Sequence, residues 1–216
     1  MQRILSTFMK FIFKHLYHSF AFVYNFIAWM VSGGSWFQWC NVIEQFVTPN
    51  SRTLEVGFGT GILQKTLIEK GISVFGLDES VQMVRITKRN LKKHGLKYRL
   101  TRADVNELPF SKNSFDLIVS TFPSEFVSSN KFHLELARVL TPGGRFICLL
   151  GVEFKRKNLL DAFYRRLYAL FNFPKKDRPV PNYNGRKTNL PDRFVIDRME
   201  VAGRVLIFVK FVNYVR

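Results

Sequence analysis

Cysteine is almost missing from this chain: Cys40 and Cys148 are the only two in 216 residues. That excludes a disulfide-stapled scaffold and fits a reducing, cytosolic setting. Cys148 sits in the apolar run Phe146-Ile147-Cys148-Leu149-Leu150 and reads as a small buried hydrophobe. Acidic side chains are scarce as well, 16 Asp and Glu against 33 Lys and Arg, which leaves a formal charge of +17. Long apolar runs are missing too. Phe11 to Val31 is interrupted by Lys14, His15, His18, Ser19 and Asn25, and only the 11 residues from Ala21 to Val31 come close to clean. A spanning helix needs roughly 20 apolar residues. No small-residue cleavage site follows, so a removable signal peptide is not expected. Repeats and low-complexity tracts are absent, and no metal site is expected.

What is present is a foldable, aromatic-rich chain. Apolar residues make up 47% and aromatics 15%, with 23 Phe, enough apolar surface to offset ordering entropy and exclude a disordered chain. The excess charge is uneven: residues 151–216 carry 15 basic and 6 acidic side chains, and residues 1–50 only 3 and 1. A basic face of this kind attracts polyanions, whether nucleic acid, anionic lipid or an acidic small molecule.

Residues 1–48 are expected to form an aromatic-rich helical segment interrupted at Ser32-Gly33-Gly34-Ser35. Beyond that break Trp36, Phe37, Trp39, Val42, Ile43 and Phe46 recur at helical spacing. Two readings fit the segment: a lid over a ligand pocket, which is preferred, or an amphipathic helix in a bilayer interface. From Arg52 strands and helices alternate. Strands are predicted at Thr53–Val56, Ile72–Leu77, Lys97–Thr101, Phe115–Thr121 and Arg145–Leu150, and helices at Ile62–Lys70, Val81–His94 and His133–Leu140. Such alternation implies a doubly wound, mostly parallel sheet. A basic amphipathic helix over Lys155–Phe173 and a polar loop over 175–191 follow. Arg193–Val201 and Arg204–Tyr214, with Ala202-Gly203 between them, read as a closing antiparallel hairpin.

The chemistry is concentrated in Leu54-Glu55-Val56-Gly57-Phe58-Gly59-Thr60-Gly61. Three alternate glycines after a strand permit a sharp turn and a close backbone approach to a ligand, and the next helix aims its free N–H groups there. The spacing differs from the dinucleotide fingerprint G-x-G-x-x-G. Glu55 stands two residues before the first glycine, where a carboxylate repels a phosphate and attracts an ammonium group. Asp78, at the tip of the second strand, can accept hydrogen bonds from both hydroxyls of a ribose. Asp104, after the third strand, is positioned for an adenine amino group.

These residues, with Gly76 to Asp78, Arg102 to Phe110, Ser114 to Val119 and Ala137 to Arg145, resemble the class I S-adenosylmethionine-dependent methyltransferases, in particular the small UbiE-like methyltransferase domain proteins. The resemblance covers about residues 50–150, and the closing hairpin fits that family's last two strands. It implies a Rossmann-like, seven-stranded sheet over residues 49–216, with residues 155–191 inserted as a basic helix and loop. It also implies that S-adenosyl-L-methionine is held by Glu55, Gly57, Gly59, Thr60 and Gly61 at its methionine end, by Asp78 and Glu79 at the ribose, and by Asp104 and Val105 at adenine, with Ser120 alongside. Phe58 departs from the small residue or Cys common in the family.

The acceptor is expected beyond the fourth strand, at Ser120 to Phe126, which lacks the Asn/Asp-Pro-Pro-Tyr pattern of amino methylation. Glu125 and His133 are the nearest candidate general bases; a surface carboxylate and a helix-face imidazole are the plainer readings. The aromatic N-terminus points to an apolar or aromatic acceptor, a quinone or lipid precursor. The basic C-terminal part suggests docking on the inner face of an anionic membrane by a cytoplasmic protein. The alternatives are an RNA methyltransferase using that basic surface, or a degenerate methyltransferase fold used for binding.

Overall fold

The computed structural model describes residues 32, 34–123, 125–153, 194–201 and 204–213. The expectations for residues 1–31 and for the helix and loop at 155–191 therefore lie outside the described residues. Chain order runs through helix α1 (Trp36–Asn41), a 3-10 turn (Val42–Phe46), β1 (Thr53–Val56), α2 (Ile62–Glu69), β2 (Val74–Asp78), α3 (Val81–Lys93) and β3 (Arg99–Arg102). It continues with β4 (Phe115–Thr121), a second 3-10 turn (Glu125–Ser128), α4 (Asn130–Val139), β5 (Leu140–Glu153), β6 (Phe194–Val201) and β7 (Arg204–Val212).

The sheet has seven strands in the order β3-β2-β1-β4-β5-β7-β6. Strands β1 to β5 pair in parallel, and β7 runs antiparallel to both neighbours, β5 and β6. The expected doubly wound sheet and closing hairpin are both present. The chain leaves β1 outward to β2 and β3, then returns to the other side for β4. That reversal opens a crevice at the carboxyl ends of β1 and β4, where open α/β sheets hold their ligands.

Both sheet faces are buried, as parallel strands require. Successive residues of the strands alternate between two cores. Ile118, Phe146, Cys148, Val209 and Phe211 join Phe132 and Leu136 of α4 on one face. Leu117, Val119, Ile147, Leu149 and Phe208 join Leu63 and Leu67 of α2 and Trp39 and Ile43 of the N-terminal segment on the other. The segment predicted as one helix tightens after Asn41 into the 3-10 turn, and Phe37, counted in its apolar pattern, faces outward with 47% exposure. A helical period that buries Trp36, Trp39, Cys40 and Ile43 turns residue 37 away.

One boundary differs more. A turn is predicted at Thr141-Pro142-Gly143-Gly144 before a strand from Arg145, yet β5 starts at Leu140. Leu140 pairs with Phe115 and Arg145 with Leu117, so the four turn residues bulge from the ladder. The last described residue of the C-terminal segment secures them. Asn213 Nδ2 donates to the Leu140 carbonyl at 2.9 Å, and its backbone exchanges bonds with Gly143 and Gly144. No helix among the described residues is long and apolar enough to cross a membrane.

Candidate active site

The glycine loop emerges from β1 and is tied on three sides. Gly57 N–H donates to the Leu77 carbonyl at 2.7 Å, fixing the loop to the end of β2. The Thr87 hydroxyl, from α3, donates to the Gly59 carbonyl at 2.9 Å. Asp78 supplies the third tie: one carboxylate oxygen accepts from Gly59 N–H at 2.8 Å and the other from Ser80 N–H at 2.9 Å. Gly57, Gly59 and Gly61 have φ of +71°, +53° and +80°, a region where an L side chain is strained. At Gly61 a β-carbon would also lie 2.4 Å from Thr87 Cγ2. Glycine is thus demanded there twice, by backbone conformation and by the approach of α3.

Under the loop lies a buried polar pair. Glu55 Oε2 accepts from Gln64 Nε2 at 2.9 Å, and both residues are almost fully buried. Gln64 Oε1 is buried without a partner. Burial pushes the Glu55 carboxyl up to about 8; the Gln64 bond opposes this and the nearby Asp78 adds to it. Asp78 is also raised, chiefly by burial, against the two backbone N–H bonds it accepts, with Glu79 raising it further.

The crevice forms a cavity whose cradle side is lined by Glu55, Gly57, Gly59, Thr60, Asp78, Glu79 and Val105. Three carboxyl-bearing residues therefore line it and, among the described residues, no Lys or Arg does. The same cavity is also lined by Trp36, Cys40, Thr121, Phe122, Pro123 and Phe126, the last packed against Gly57. Trp36 and Phe122 stack with ring centroids 4.3 Å apart and planes 24° from parallel. Phe122 has φ +47°, a conformation costing on the order of 1–3 kcal/mol in a non-glycine residue. It is held by its N–H bond to the Leu149 carbonyl at 2.7 Å. Burial pushes the Cys40 thiol well up, with Glu55 adding to the effect, so this cavity-lining sulfur stays protonated.

The other expected site residues lie elsewhere. Gly61 caps α2 behind the cavity wall. Ser120 is fully buried behind Gly57, its hydroxyl donating to the Val56 carbonyl at 2.8 Å. It holds the end of β1. Asp104 is exposed and outside the wall; its Oδ1 accepts from Asn106 N–H at 2.8 Å and from Asn106 Nδ2 at 2.9 Å, closing its own turn. His133 is also outside the wall. Its Nε2 donates to the Val127 carbonyl at 2.7 Å, its Nδ1 is buried without a partner, and burial holds its pKa down against that bond. Glu125 begins the second 3-10 turn, whose Phe126 reaches the cavity.

Trp36 and Phe122 fall within the segments expected as a lid and as the acceptor side, whereas sequence reasoning did not single out Gln64 and Thr87 for the site. Gln64 is the only one with a local signal, a polar residue on the otherwise apolar inner face of α2.

Residues 54–148 match the family described as "Methyltransferase domain". These residues belong to the methyltransferase-domain family. A demethylmenaquinone methyltransferase of Tropheryma whipplei (strain Twist) is 36% identical over 159 residues, 71% of this chain and 64% of that protein. The ubiquinone/menaquinone biosynthesis C-methyltransferase UbiE of Brucella suis is 32% identical over 161 residues, 69% and 59% of the two chains. The chain thus spans less than two thirds of the length of either relative. Among solved structures, phosphoethanolamine N-methyltransferase 2 of Haemonchus contortus, in complex with S-adenosyl-L-methionine, superposes with a TM-score of 0.58 at 16% identity, covering 84% of this chain and 53% of that one. A SAM-dependent methyltransferase from Aquifex aeolicus gives 0.52 at 19% identity, covering 81% and 89%. These two likenesses establish the fold of the methyltransferase domain as the Rossmann-like one.

Proposed function

We propose that the methyltransferase domain binds S-adenosyl-L-methionine in the cavity and passes its methyl group to a planar, apolar acceptor of the quinone or lipid-precursor class. The observation that carries this reading is the sign of the described cavity wall: Glu55, Asp78 and Glu79, with no Lys or Arg among the described residues. Carboxylates attract a ligand bearing an ammonium and a sulfonium charge and repel a pyrophosphate. The left-handed backbone at Gly57 and Gly59 leaves room for close approach, as a cradle for such a ligand requires. The relatives named as quinone-biosynthesis methyltransferases support the acceptor class.

When bound, the cofactor supplies a methyl group activated on a positively charged sulfur. The chain's own residues then have three tasks. Asp78, already bonded to Gly59 and Ser80, keeps lone pairs free on both oxygens for ribose hydroxyls, and Glu79 adjoins it. Glu55, pushed up to about 8 by burial, gives up its proton to meet an ammonium group. Trp36, Phe122 and Phe126 offer flat apolar surface, exclude water and orient a ring. No imidazole lines the cavity among the described residues, so alignment of the acceptor against the methyl is what the wall contributes to rate.

Calorimetric titration with S-adenosylmethionine, S-adenosylhomocysteine and NADH tests the first step. Saturable binding of the two sulfur nucleosides and none of NADH is expected; NADH binding in their place overturns the reading. A methyl-transfer assay on demethylmenaquinone, set against a polar catechol, tests the acceptor class.

A further inference from the structure

We infer that the outer face of α3 and the adjoining edge strand β3 form a docking surface for an anionic lipid bilayer. Between Ser80 and Ala103 the chain carries eight Lys and Arg and no Asp or Glu. All eight are exposed, and none forms an ion pair with a described residue. Arg85, Lys88, Arg89 and Lys92 follow the i, i+3, i+4, i+7 pattern that puts them on one helix face, a stripe about 10 Å long at 1.5 Å per residue. The opposite face of α3, Met83, Val84, Thr87 and Leu91, is buried. The helix is therefore anchored and its basic face held outward.

Two further observations select the occupant. The only large apolar side chain exposed on α3 is Ile86, at 37%, and no aromatic residue of the described patch is exposed for stacking on bases, as single-stranded nucleic acid binders require. The patch is also continuous with the cavity rim: Arg102 Nε donates to the carbonyl of Glu79, a cavity residue, at 3.0 Å, and Arg85 lies one turn into the helix that Ser80 caps. A bilayer on this face brings an apolar acceptor to the cavity edge. That last point rests on the proposed acceptor class; the charge and its exposure do not.

The test is sedimentation of the full chain with vesicles of phosphatidylcholine alone and of phosphatidylcholine mixed equally with phosphatidylglycerol. Binding to the anionic vesicles alone is expected, weakening as salt rises. Each Lys or Arg beside such a surface strengthens binding by about fivefold. The triple variant Lys88→Gln, Arg89→Gln, Lys92→Gln keeps helix propensity and should weaken vesicle binding at least about tenfold. A matched variant of exposed cations elsewhere, Lys112→Gln, Lys131→Gln, Arg145→Gln, should leave it within about twofold. Equal loss from both variants, no loss from the α3 variant, no binding to anionic vesicles, or tighter binding to duplex RNA at the same salt overturns the inference. S-adenosylmethionine titration of the α3 variant, with circular dichroism to confirm folding, separates this surface from the cavity. Unchanged cofactor affinity with lost vesicle binding supports it. Vesicle binding by a protein that takes no cofactor leaves this surface standing and removes the proposed function instead.

Discussion

The two walls of the cavity are built on different principles. The cradle side is backbone and carboxylate: a glycine loop within eight consecutive residues, fastened by Asp78 and Thr87 and standing on a buried Glu55–Gln64 pair. The rest of the lining is aromatic and apolar, and its residues 36, 122 and 126 come from an N-terminal helix, the end of β4 and a 3-10 turn. The cradle's polar groups are largely satisfied within the protein and its backbone is constrained. The aromatic wall is held by stacking and by one strained residue. On the proposed function, that difference predicts that cofactor binding and acceptor selection separate under mutation.

The cradle should break most sharply at Gly61. In Gly61→Val the left-handed backbone at φ +80° and the approach of Thr87 at 2.4 Å act together. A stability loss of about 3 kcal/mol, read by denaturant unfolding, should accompany a loss of cofactor binding. The double variant Gly61→Ala, Thr87→Ala should recover part of the stability lost in Gly61→Ala. Full recovery would mean that backbone strain contributes nothing.

Asp78→Asn tests the fastening of the loop. An amide has one acceptor oxygen where the carboxylate has two, so one of the Gly59 and Ser80 N–H groups loses its partner. A buried unsatisfied donor costs about 1–3 kcal/mol. We expect that range in unfolding and a cofactor Kd at least about tenfold higher. Unchanged affinity would remove Asp78 from the cofactor site.

On the other wall, Trp36→Leu keeps apolar bulk but loses the stack on Phe122. The acceptor KM should rise by about tenfold, the order of an aromatic pair's contribution, while cofactor affinity stays within about threefold. Equal losses in both would merge the two walls into one unit.

The smallest effect sharpens the role of Glu55. With its carboxyl raised to about 8 in the folded protein, the native state holds a proton that the unfolded chain has released. Its contribution to stability therefore falls as pH rises from the ordinary carboxylate range through about 8. Glu55→Gln should flatten that part of the pH profile of unfolding. Binding of an ammonium-bearing cofactor should release this proton, so affinity should rise with pH up to about 8 by less than tenfold per unit. In the Gln variant it should stay flat, as calorimetry in buffers of differing ionisation enthalpy would reveal.

Much of this architecture is readable in contiguous residues. The limits of β4 at Phe115–Thr121 agree with its apolar run, and the helices predicted to end at Lys70 and His94 end one residue earlier, at Glu69 and Lys93. The Gly57-Gly59-Gly61 spacing marks the loop because φ constraints act on single residues. Glu79 and Val105 lie in the cavity wall. Asp104, two residues past β3, and His133, inside α4, are not in the wall. Side chains one or two residues past a strand can turn either toward a ligand or back on their own loop, and local pattern does not distinguish the two. Asp104 closes its turn on Asn106, and His133 bonds to Val127.

The sequence by itself determined the alternation of strands and helices, the glycine loop and the carboxylates on β1 and at the end of β2, because periodicity and backbone sterics are properties of neighbouring residues. The tertiary structure alone decided that Trp36 would stack on Phe122, that Gln64 would meet Glu55 under the loop, and that β7 would run between β5 and β6. The Trp36–Phe122 stack and the β5–β7 pairing join segments distant in the chain, and even the nearer Glu55–Gln64 contact depends on how α2 packs on β1. All three follow from strand order and from which buried polar groups find partners once the two sheet faces are covered.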